Sequence, residues 1–420
     1  MQEQEREPSC TDAYEPDALR VDSARARIMA AVRPITEAET VAVQDALGRV
    51  LAADLRALMD VPPHENSAVD GYALCSADLP DRGKAELMVK GKALAGHPFA
   101  ARIGPGECVR IMTGAPMPPG ADVVVMQEHC TAGETAILIA SGHRAGENVR
   151  RAGEDLRRGE VFLARGRTLG PAELGLAASQ GLAEVEVIRR PRIAVFSTGD
   201  EVRAPGVALA EGQIFDSNRY TLRALLEELG AEVIDLGIVP DSPEALRRAL
   251  EQAGADGDAV ITSGGVSVGE ADYIKSMLRS SGEVSFWKVA IKPGRPLAFG
   301  RLGKALFFGL PGNPVAVMVA FQQFVRPAMQ RLSGAQEREP LLLRARALGR
   351  LRKRPGRMEF QRGVLSRDSD GDLVVRPWGP EGSGILRSMS DANCYIVLDH
   401  DSATVEPGQT VDVQPFEASL

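Results

Sequence analysis

The chain carries three glycine-punctuated loops between residues 260 and 314: Ser263-Gly-Gly-Val-Ser-Val-Gly-Glu-Ala-Asp272, Lys288-Val-Ala-Ile-Lys292-Pro-Gly-Arg295-Pro296 and Leu310-Pro-Gly-Asn-Pro314. Each loop follows a short apolar run, and these runs are Ala259-Val-Ile-Thr262, Val284-Ser-Phe-Trp287 and Ala305-Leu-Phe-Phe308. Such runs are typical of parallel strands, whose carboxyl ends open into the loops where open α/β sheets bind ligands. The pattern therefore predicts a parallel sheet with a ligand site at one edge.

The residue types in these loops favour an anionic ligand. Glycines let backbone N–H groups approach an anion closely, while Lys288, Lys292 and Arg295 supply positive charge. Asp272 is a hard oxygen ligand of the kind that magnesium prefers. The candidate substrate-binding residues in the three loops are Ser263, Gly264, Gly265, Ser267, Gly269, Pro293, Gly294, Arg295, Pro311, Gly312, Asn313 and Pro314. The alternative is ordinary βα-loop chemistry, in which Gly and Pro only turn the chain.

An α/β unit surrounds these loops and begins with the apolar run Arg192-Ile-Ala-Val-Phe196. Its helices carry start and stop signals. One is expected from Asn218 to Leu229 with Gly230 after it, and the next is opened by Ser242-Pro243-Glu244. Asn313-Pro314 starts an apolar helix that extends to about residue 331. Strands that alternate with helices predict a parallel sheet with right-handed crossovers.

Two β-rich regions flank the α/β unit. Residues 61–149 contain short alternating apolar segments separated by Gly and Pro turns, which is typical of a small barrel or sandwich, and residues 337–420 have the same texture. Residues 1–19 are acidic and polar, and we expect them to be disordered. The predicted fold class is therefore α/β plus β-rich domains in a multi-domain chain.

Bulk composition limits the kinds of partner and compartment. The chain has 420 residues, which is too long for one core, so we expect three or more compact units. Its net charge of -8 argues against a general nucleic-acid or membrane-surface binder. No apolar run approaches the ~20 residues of a spanning helix, and the first residues lack the basic start and apolar core of a signal peptide. We therefore expect a cytoplasmic protein.

Several common kinds of site are not indicated. The five cysteines are far apart and show no C-x-x-C spacing, so free thiols are expected rather than disulfides or zinc. The five histidines show no i, i+4 pairing, and neither a Walker A nor a G-x-G-x-x-G pattern is present. Carboxylates together with lysines instead fit a metal-assisted displacement at an anionic centre.

Acids at turns supply the remaining candidates. Glu201, in Thr198-Gly-Asp-Glu201, and Asp241 both follow apolar strands. The Asp200-Glu201 pair could merely cap the next helix, and Asp241 could equally be a turn residue before Ser242. Asp216-Ser-Asn218 is ambiguous in the same way. In the first β-rich region, Asp70 precedes a glycine and Thr113 lies at a strand-to-turn bend. Local sequence alone does not separate a structural role from a chemical one for these residues.

Taken in order, these motifs resemble the MoeA family of molybdopterin molybdenumtransferases, which includes the E domain of gephyrin. The motifs that carry the resemblance are Ser67-Ala-Val-Asp70-Gly-Tyr-Ala, Arg110-Ile-Met-Thr113-Gly-Ala, Gly153-Glu-Asp155, Ser197-Thr-Gly-Asp-Glu201 and the three central loops. The resemblance covers roughly residues 20–415.

The resemblance implies an elongated homodimer of four-domain subunits. A discontinuous linker and dimerisation domain would comprise residues 20–60 and 150–190, with a β-rich insertion at 61–149. A three-layer, molybdopterin-binding α/β domain would follow at 191–331, and a barrel-like β domain at 337–420. In the family the active-site cleft lies between the α/β domain of one subunit and the β-rich insertion of the other.

Family site residues can be carried over position by position. The implied catalytic residues are Asp70, Thr113, Asp155, Glu201, Asp241, Asp272, Lys288 and Lys292. Of these, Asp70 and Thr113 would act from the partner subunit. Glu201, Asp241 and Asp272 would hold Mg²⁺. Arg362 and Ser383 are weaker matches among the substrate-binding residues.

The activity implied by the resemblance is molybdenum insertion. In the presence of a divalent cation, adenylylated molybdopterin is cleaved, AMP leaves, and molybdenum from molybdate enters the dithiolene. The alternatives are the preceding adenylylation step and a non-catalytic dimeric scaffold like the gephyrin E domain. The adenylyltransferase and molybdoenzyme maturation proteins are candidate protein partners.

Overall fold

The protein is described by a computed structural model that covers residues 18–264, 284–337, 339–379 and 382–416. It divides into two compact units. The larger unit comprises Met1–Glu39, Gly48–Ala52 and Val187–Leu420, and the smaller comprises Thr40–Leu47 and Ala53–Glu186. The predicted disordered tail lies almost wholly outside the described residues. None of the helices in the described ranges has the length and apolarity to span a membrane.

The secondary structure is dominated by short strands. The helices are α1 (Val21–Ala31), α2 (Pro171–Ser179), α3 (Asn218–Glu228), α4 (Pro243–Asp256), α5 (Pro314–Ala320), α6 (Arg326–Leu332) and α7 (Arg387–Asp391). The strands are β1 (Ala38–Ala42), β2 (Leu55–Arg56), β3 (Asn66–Ser67), β4 (Gly71–Leu74), β5 (Lys84–Ala93), β6 (Glu107–Ile111), β7 (Val123–Met126), β8 (Cys130–Ala132), β9 (Ala136–Ala140), β10 (Val149–Arg150), β11 (Val161–Leu163), β12 (Glu184–Ile188), β13 (Arg192–Thr198), β14 (Val202–Arg203), β15 (Ile214–Phe215), β16 (Glu232–Val239), β17 (Ala259–Ser263), β18 (Val284–Lys288), β19 (Ile291–Lys292), β20 (Pro296–Leu302), β21 (Ala305–Leu310), β22 (Leu343–Ala347), β23 (Met358–Arg367), β24 (Leu373–Pro377), β25 (Cys394–Leu398) and β26 (Thr410–Pro415).

The larger unit is built on a six-stranded sheet in the order β16-β13-β17-β21-β20-β18. The first four strands are parallel, while β20 runs antiparallel to β21 and β18 runs antiparallel to β20. The expectation that Val284–Lys288 pairs in parallel is therefore wrong. Because β20 is antiparallel to both β21 and β18, β18 runs in the same direction as β21. Strand β18 therefore also ends at the carboxyl edge of the parallel strands.

Alternating side chains of β13 build two cores, one on each face of this sheet. Ile193 and Val195 belong to a core with Leu222 and Leu226 of α3. Ala194 and Phe196 belong to a second core with residues of α4, which are Leu246, Leu250 and Ala253. The period of two along the strand and of three to four along the helices produces this division. The three-layer α/β domain is thus confirmed.

The structure confirms the start and stop signals that the sequence gives for these helices. Ser242 caps α4, since its hydroxyl oxygen accepts from the N–H of Ala245 at 3.3 Å. Gly230, just after α3, has φ of 77°, which favours glycine. Asn313 and Pro314 begin an apolar helix that continues from α5 through a π-helical turn at Phe321–Val325 into α6. These helices pack on the sheet that carries the predicted ligand loops.

The carboxy-terminal strands close into a barrel. Five strands follow the order β23-β24-β22-β26-β25, and pairing between β23 and β25 completes the circle. The barrel is filled by apolar side chains that include Val375, Ile396 and Val413. Strand β19, from the second ligand loop, adds to β23 in parallel register. The predicted barrel-like β domain is confirmed, and it is joined directly to the loop that carries Lys292.

The smaller unit contains a second six-stranded sheet, in the order β7-β4-β6-β5-β9-β8. Its strands alternate between two apolar clusters: Tyr72 and Leu74 pack in one, and Ala73 packs in the other. The expected β texture of residues 61–149 is therefore confirmed. Helix α2 has Pro171 in its first turn, as its sequence predicts.

Candidate functional site

Four parallel strand ends meet at one edge of the central sheet, and we call this the carboxyl edge. In register, Thr198 lies beside Val239, while Ser263 lies between Ser197 and Leu310. The loops that follow these strands therefore start side by side. This register places the start of the first glycine loop beside the Thr198–Glu201 turn, and the start of the third glycine loop beside that of the first.

Asp241 is held at this edge by a hydroxyl group. It follows β16 by two residues, and the Thr198 hydroxyl donates to its Oδ1. The next residue, Ser242, caps α4, so the Asp241 carboxylate is not used as the helix cap. The carboxylate thus has a fixed orientation and retains acceptor capacity for a ligand.

The turn after β13 is shaped by Gly199. Its φ is 141°, and a Cβ at this position would lie 2.6 Å from Oε2 of Glu201. Glu201 itself is exposed, and its backbone carbonyl accepts from the N–H of Ile214 at 2.9 Å. The turn therefore anchors Glu201 through its main chain and leaves its carboxylate open to solvent.

Asn218 connects the loops at this edge, a role that the sequence did not reveal. Its side-chain Nδ2 donates to the Ser263 hydroxyl at 2.8 Å and to the Gly312 carbonyl at 2.6 Å. Ser263 in turn donates to the Pro311 carbonyl at 3.3 Å. The Asn218 Oδ1 is buried without a hydrogen-bond partner in the described part of the chain. The only sequence signal was the position of Asn218 at the start of a helix that follows a loop.

Asp216, two residues earlier, has a structural role. It is buried and accepts from the Ser197 hydroxyl at 3.0 Å and from Arg219 Nε at 2.9 Å. Arg219 also pairs with Asp235. Burial alone would lower the pKa of Arg219, but the two carboxylates raise it overall. This closed network holds the start of α3, and therefore Asn218, against the sheet.

Gly264 is required by the geometry of the first loop. Its φ is 92°, and a Cβ would lie 2.6 Å from the Thr198 carbonyl oxygen. Because a backbone atom blocks the space, no side chain can be accommodated without movement of the main chain. The rest of the predicted residues in this loop, Gly265, Ser267, Gly269 and Asp272, lie outside the described residues.

The second loop is held from two sides. On one side, Leu19 donates to the Lys288 carbonyl and accepts from the N–H of Ala290, both at 2.8 Å. On the other side, the N–H of Met358 donates to the Ala290 carbonyl at 2.9 Å. Within the loop, the N–H of Val289 donates to the carbonyl of Arg295 at 2.8 Å. The lysines of this loop therefore project from a braced backbone.

The second and third loops pack against each other. Gly294 has φ of 99°, and a Cβ there would lie 3.3 Å from the Ala316 carbonyl and 3.5 Å from a Pro311 ring carbon. The peptide between Lys292 and Pro293 is cis. Gly294 thus allows the Lys-Pro-Gly-Arg turn to lie on the Leu-Pro-Gly-Asn-Pro turn. Lys292 forms an ion pair with Glu359, with Nζ 3.3 Å from Oε2.

Arg362 and Ser383 support the third loop. Arg362 is buried, and its guanidinium donates to Ser388 Oγ at 3.1 Å and to the Gly382 carbonyl at 3.2 Å. The Ser383 carbonyl accepts from the N–H of Val315 at 3.1 Å, which satisfies a first-turn donor of α5. Their contacts within the chain therefore connect the barrel to the start of α5.

Asp70, Thr113 and Asp155 belong to the smaller unit. Both the backbone N–H and the hydroxyl of Thr113 donate to Oδ1 of Asp70 at 2.8 Å. These two bonds, the backbone bond first, hold the pKa of the exposed Asp70 carboxyl below its ordinary value. Asp155 is also exposed, and its N–H donates to the Val61 carbonyl at 3.0 Å. Asp70 is thus presented as an oriented, ionised carboxylate.

The carboxyl edge carries carboxylates of a kind that can serve a divalent cation. Within residues 18–264, 284–337, 339–379 and 382–416, no cluster of three His, Cys, Asp or Glu side chains could hold a metal. Asp241 and Glu201 nevertheless supply hard oxygen donors, which is the chemistry that Mg²⁺ prefers. Because Mg²⁺ commonly uses one or two carboxylates together with substrate phosphates, the residues present are compatible with a cation held jointly with substrate.

Three protein-family descriptions match successive parts of the chain. Residues 19–181 match "MoeA N-terminal region (domain I and II)", residues 194–331 match "Probable molybdopterin binding domain", and residues 344–416 match "MoeA C-terminal region (domain IV)". Together they account for nearly all of the described residues.

Curated relatives are similar over most of the chain. A molybdopterin molybdenumtransferase of Haemophilus influenzae is 43% identical over 96% of this chain and 100% of its own length. One from Nostoc sp. is 36% identical over 89% and 88%. A solved molybdopterin biosynthesis moeA protein from Pyrococcus horikoshii OT3 is 28% identical, covers 95% of this chain and 100% of its own, and has a TM-score of 0.83.

Proposed function

The chain belongs to the MoeA family of molybdopterin molybdenumtransferases, and on that premise we propose that it inserts molybdenum into molybdopterin. In the proposed reaction, adenylylated molybdopterin is cleaved, AMP is released, and molybdenum from molybdate enters the dithiolene. The observation that carries the proposal is the carboxyl edge of the central sheet, where Asn218 joins two glycine loops and Thr198 orients Asp241.

The residues at this edge suit a substrate with several oxyanions. Gly264 and Gly294 let the loops pack closely on Thr198, Ala316 and Pro311, while Gly312 has open space beside it for an approaching pyrophosphate. Lys288, Lys292 and Arg295 supply positive charge from the braced second loop. Asn218 contributes through its Nδ2, which joins the first and third loops, while its Oδ1 is buried without a partner among the described residues.

Asp241, Glu201 and Asp272 are the residues that would hold Mg²⁺. When bound, the cation supplies charge screening at the pyrophosphate. The contribution of the chain is the orientation of Asp241 by Thr198, which fixes the carboxylate before substrate arrives.

We further propose a homodimeric, cytoplasmic protein in which Asp70 and Thr113 act at the site of the partner subunit. The proposal follows the family resemblance. It is supported by the exposure of Asp70, whose carboxylate is oriented by Thr113 and faces solvent. The four-domain division at residues 20–60 with 150–190, 61–149, 191–331 and 337–420 is part of the same proposal.

The test is AMP release from adenylylated molybdopterin with magnesium, with and without micromolar molybdate. We compare wild type with Asp241→Asn, which keeps the shape of the side chain and removes its charge. Release should require molybdate in wild type and fall by at least about 100-fold in the variant, because a preorganised charge at the reacting centre is lost.

The matched control is Asp258→Asn. Asp258 is an acid of the same sheet, but it lies at the amino end of β17 and is paired with Arg189. This control should retain molybdate-dependent release. A wild-type protein that binds adenylylated molybdopterin but never releases AMP would contradict the proposal and favour a binding or adenylylation role.

A further inference from the structure

Lys292 of the second ligand loop is tied to a buried acid of the carboxy-terminal barrel. Strand β19 pairs with β23 in parallel, and Lys292 lies in register with Glu359. Their side chains form an ion pair in which Nζ lies 3.3 Å from Oε2. The Glu359 side chain is only 4% exposed, whereas that of Lys292 is 35% exposed. The pair therefore runs from the interior of the barrel toward the surface of the loop.

The Glu359 carboxylate is fixed from within the barrel as well. Gln361 Nε2 donates to its Oε2 at 3.1 Å and also donates to the Arg352 carbonyl at 3.0 Å. Because the second bond anchors the amide to the main chain, Gln361 holds the carboxylate in one orientation. Glu359 is thus a rigid support, and Lys292 is the flexible partner that it restrains.

A second lysine lies close to the same carboxylate. Lys353 is buried, and its ammonium donates to the Arg354 carbonyl at 2.8 Å. Burial lowers the pKa of Lys353, while the charge of Glu359 opposes this effect. Lys353 is therefore influenced by the charges of Glu359 and Asp399, whereas the ion pair of Glu359 is with Lys292.

We propose that Glu359 is a positioning residue for substrate binding, one that holds the Lys292 ammonium where it meets an oxyanion of the substrate. This inference rests on the proposed function, because it assumes that the second loop binds oxyanions. A lysine side chain loses considerable rotamer freedom when it is fixed. The Glu359–Lys292 pair already restricts the rotamers of Lys292 in the folded protein. Less conformational entropy is therefore lost when substrate binds.

The test is a double-mutant cycle with wild type, Glu359→Gln, Lys292→Met and the double variant. We measure the Kd for adenylylated molybdopterin, and the KM for molybdate with the kcat of AMP release. Glu359→Gln should weaken one of the two substrate affinities by about 10-fold while kcat changes less, since positioning has been lost but the lysine remains. Which affinity falls identifies the oxyanion, phosphate or molybdate.

The loss of affinity caused by Glu359→Gln is compared in the wild-type and Lys292→Met backgrounds, and this comparison distinguishes positioning from general structural support. If Glu359 acts through Lys292, Glu359→Gln costs nothing further once Lys292 is Met. An equal loss in both backgrounds, or no loss in the wild-type background, would overturn the proposal. Asp258→Asn again serves as the control, because it removes the acid of another partly buried ion pair at the opposite edge of the sheet.

The test also covers two further cases, a Glu359→Gln variant that does not fold and a failure of the proposed function. If Glu359→Gln does not yield folded protein, Glu359→Asp keeps the charge and withdraws the carboxylate by one methylene, with the same expected loss confined to the Lys292 background. If wild type binds adenylylated molybdopterin without molybdate-dependent AMP release, the proposed function fails. The Kd values of the four variants still establish whether Glu359 acts through Lys292.

Discussion

The two edges of the central sheet use the same residue types for opposite purposes. At the amino edge, Asp258 accepts from Nη1 and Nη2 of Arg189 at 2.7 and 2.9 Å and from the backbone N–H of Arg192 at 2.8 Å. At the carboxyl edge, Asp241 accepts from a hydroxyl, and no ion pair within the described ranges involves Asp241 or Glu201. The acid at the amino edge is satisfied by the chain itself. The acids at the carboxyl edge retain capacity for a ligand.

This difference separates stability from function. Burial alone would raise the pKa of Asp258, but the hydrogen bonds from Arg189 and Arg192 lower it overall. That carboxylate therefore stabilises the folded chain. The contacts of Asp241 and Asn218 instead connect loops, and they leave acceptor atoms directed at no partner among the described residues. A site of this kind sacrifices some stability for ligand binding.

The largest effect on function is expected for Gly264→Ala at the carboxyl edge. The new Cβ would lie 2.6 Å from the Thr198 carbonyl, at a φ of 92° that side chains rarely adopt. We expect AMP release to fall by about 100-fold, because displacement of the loop by about 1 Å suffices for such a loss. The free energy of unfolding should fall by about 1–3 kcal/mol. Gly303→Ala, at a left-handed glycine with open space around it, is the control and should affect only stability.

The amino edge is tested by Asp258→Asn in urea unfolding across pH. At neutral pH the variant should lose about 2 kcal/mol, because charge-assisted hydrogen bonds from Arg189 and Arg192 are weakened. Since the pKa of Asp258 is lowered on folding, its contribution is present above the ordinary aspartate pKa and is lost as the pH falls through the lowered value. The difference between wild type and variant should therefore shrink in acid. A difference that grows in acid would contradict this account.

The smallest expected effect compares two asparagines whose side chains hydrogen-bond to distant parts of the chain. Asn218→Ala should weaken binding of adenylylated molybdopterin by about 10-fold and cost about 1 kcal/mol of stability. Asn393 is the matched control, because it accepts from the N–H of Leu365 at 2.7 Å and donates to its carbonyl at 2.9 Å inside the barrel region. Asn393→Ala should lower stability without changing affinity. Equal affinity losses would show that Asn218 is only structural.

Most of the fold could be read from local patterns. Apolar runs, Gly and Pro turns and helix caps predicted β13, β17 and β21, the helices between them and the flanking β regions. These signals are local because they depend on backbone propensity and on the side-chain period of each element. The one error in strand pairing, at β18, arose because an apolar run does not reveal the direction of its neighbour.

The site was less predictable than the fold. Asn218 and Glu359 were missed because their partners, Ser263, Gly312 and Lys292, are distant in the sequence. Asp216 and Asp241 looked alike as acids at turns. One is enclosed by Arg219, and the other is oriented by Thr198 toward the edge. Only the tertiary environment distinguishes a satisfied acid from an available one.

By itself the sequence determined the order of strands and helices, the glycine loops and, through its motifs, the family. Each of these follows from residues that are close together in the chain. The tertiary structure alone decided which side chains meet: Asn218 with two loops, Thr198 with Asp241, and Lys292 with a glutamate of the barrel. The physical reason is that hydrogen bonds and ion pairs act over a few ångströms, and only folding brings such distant residues within that range.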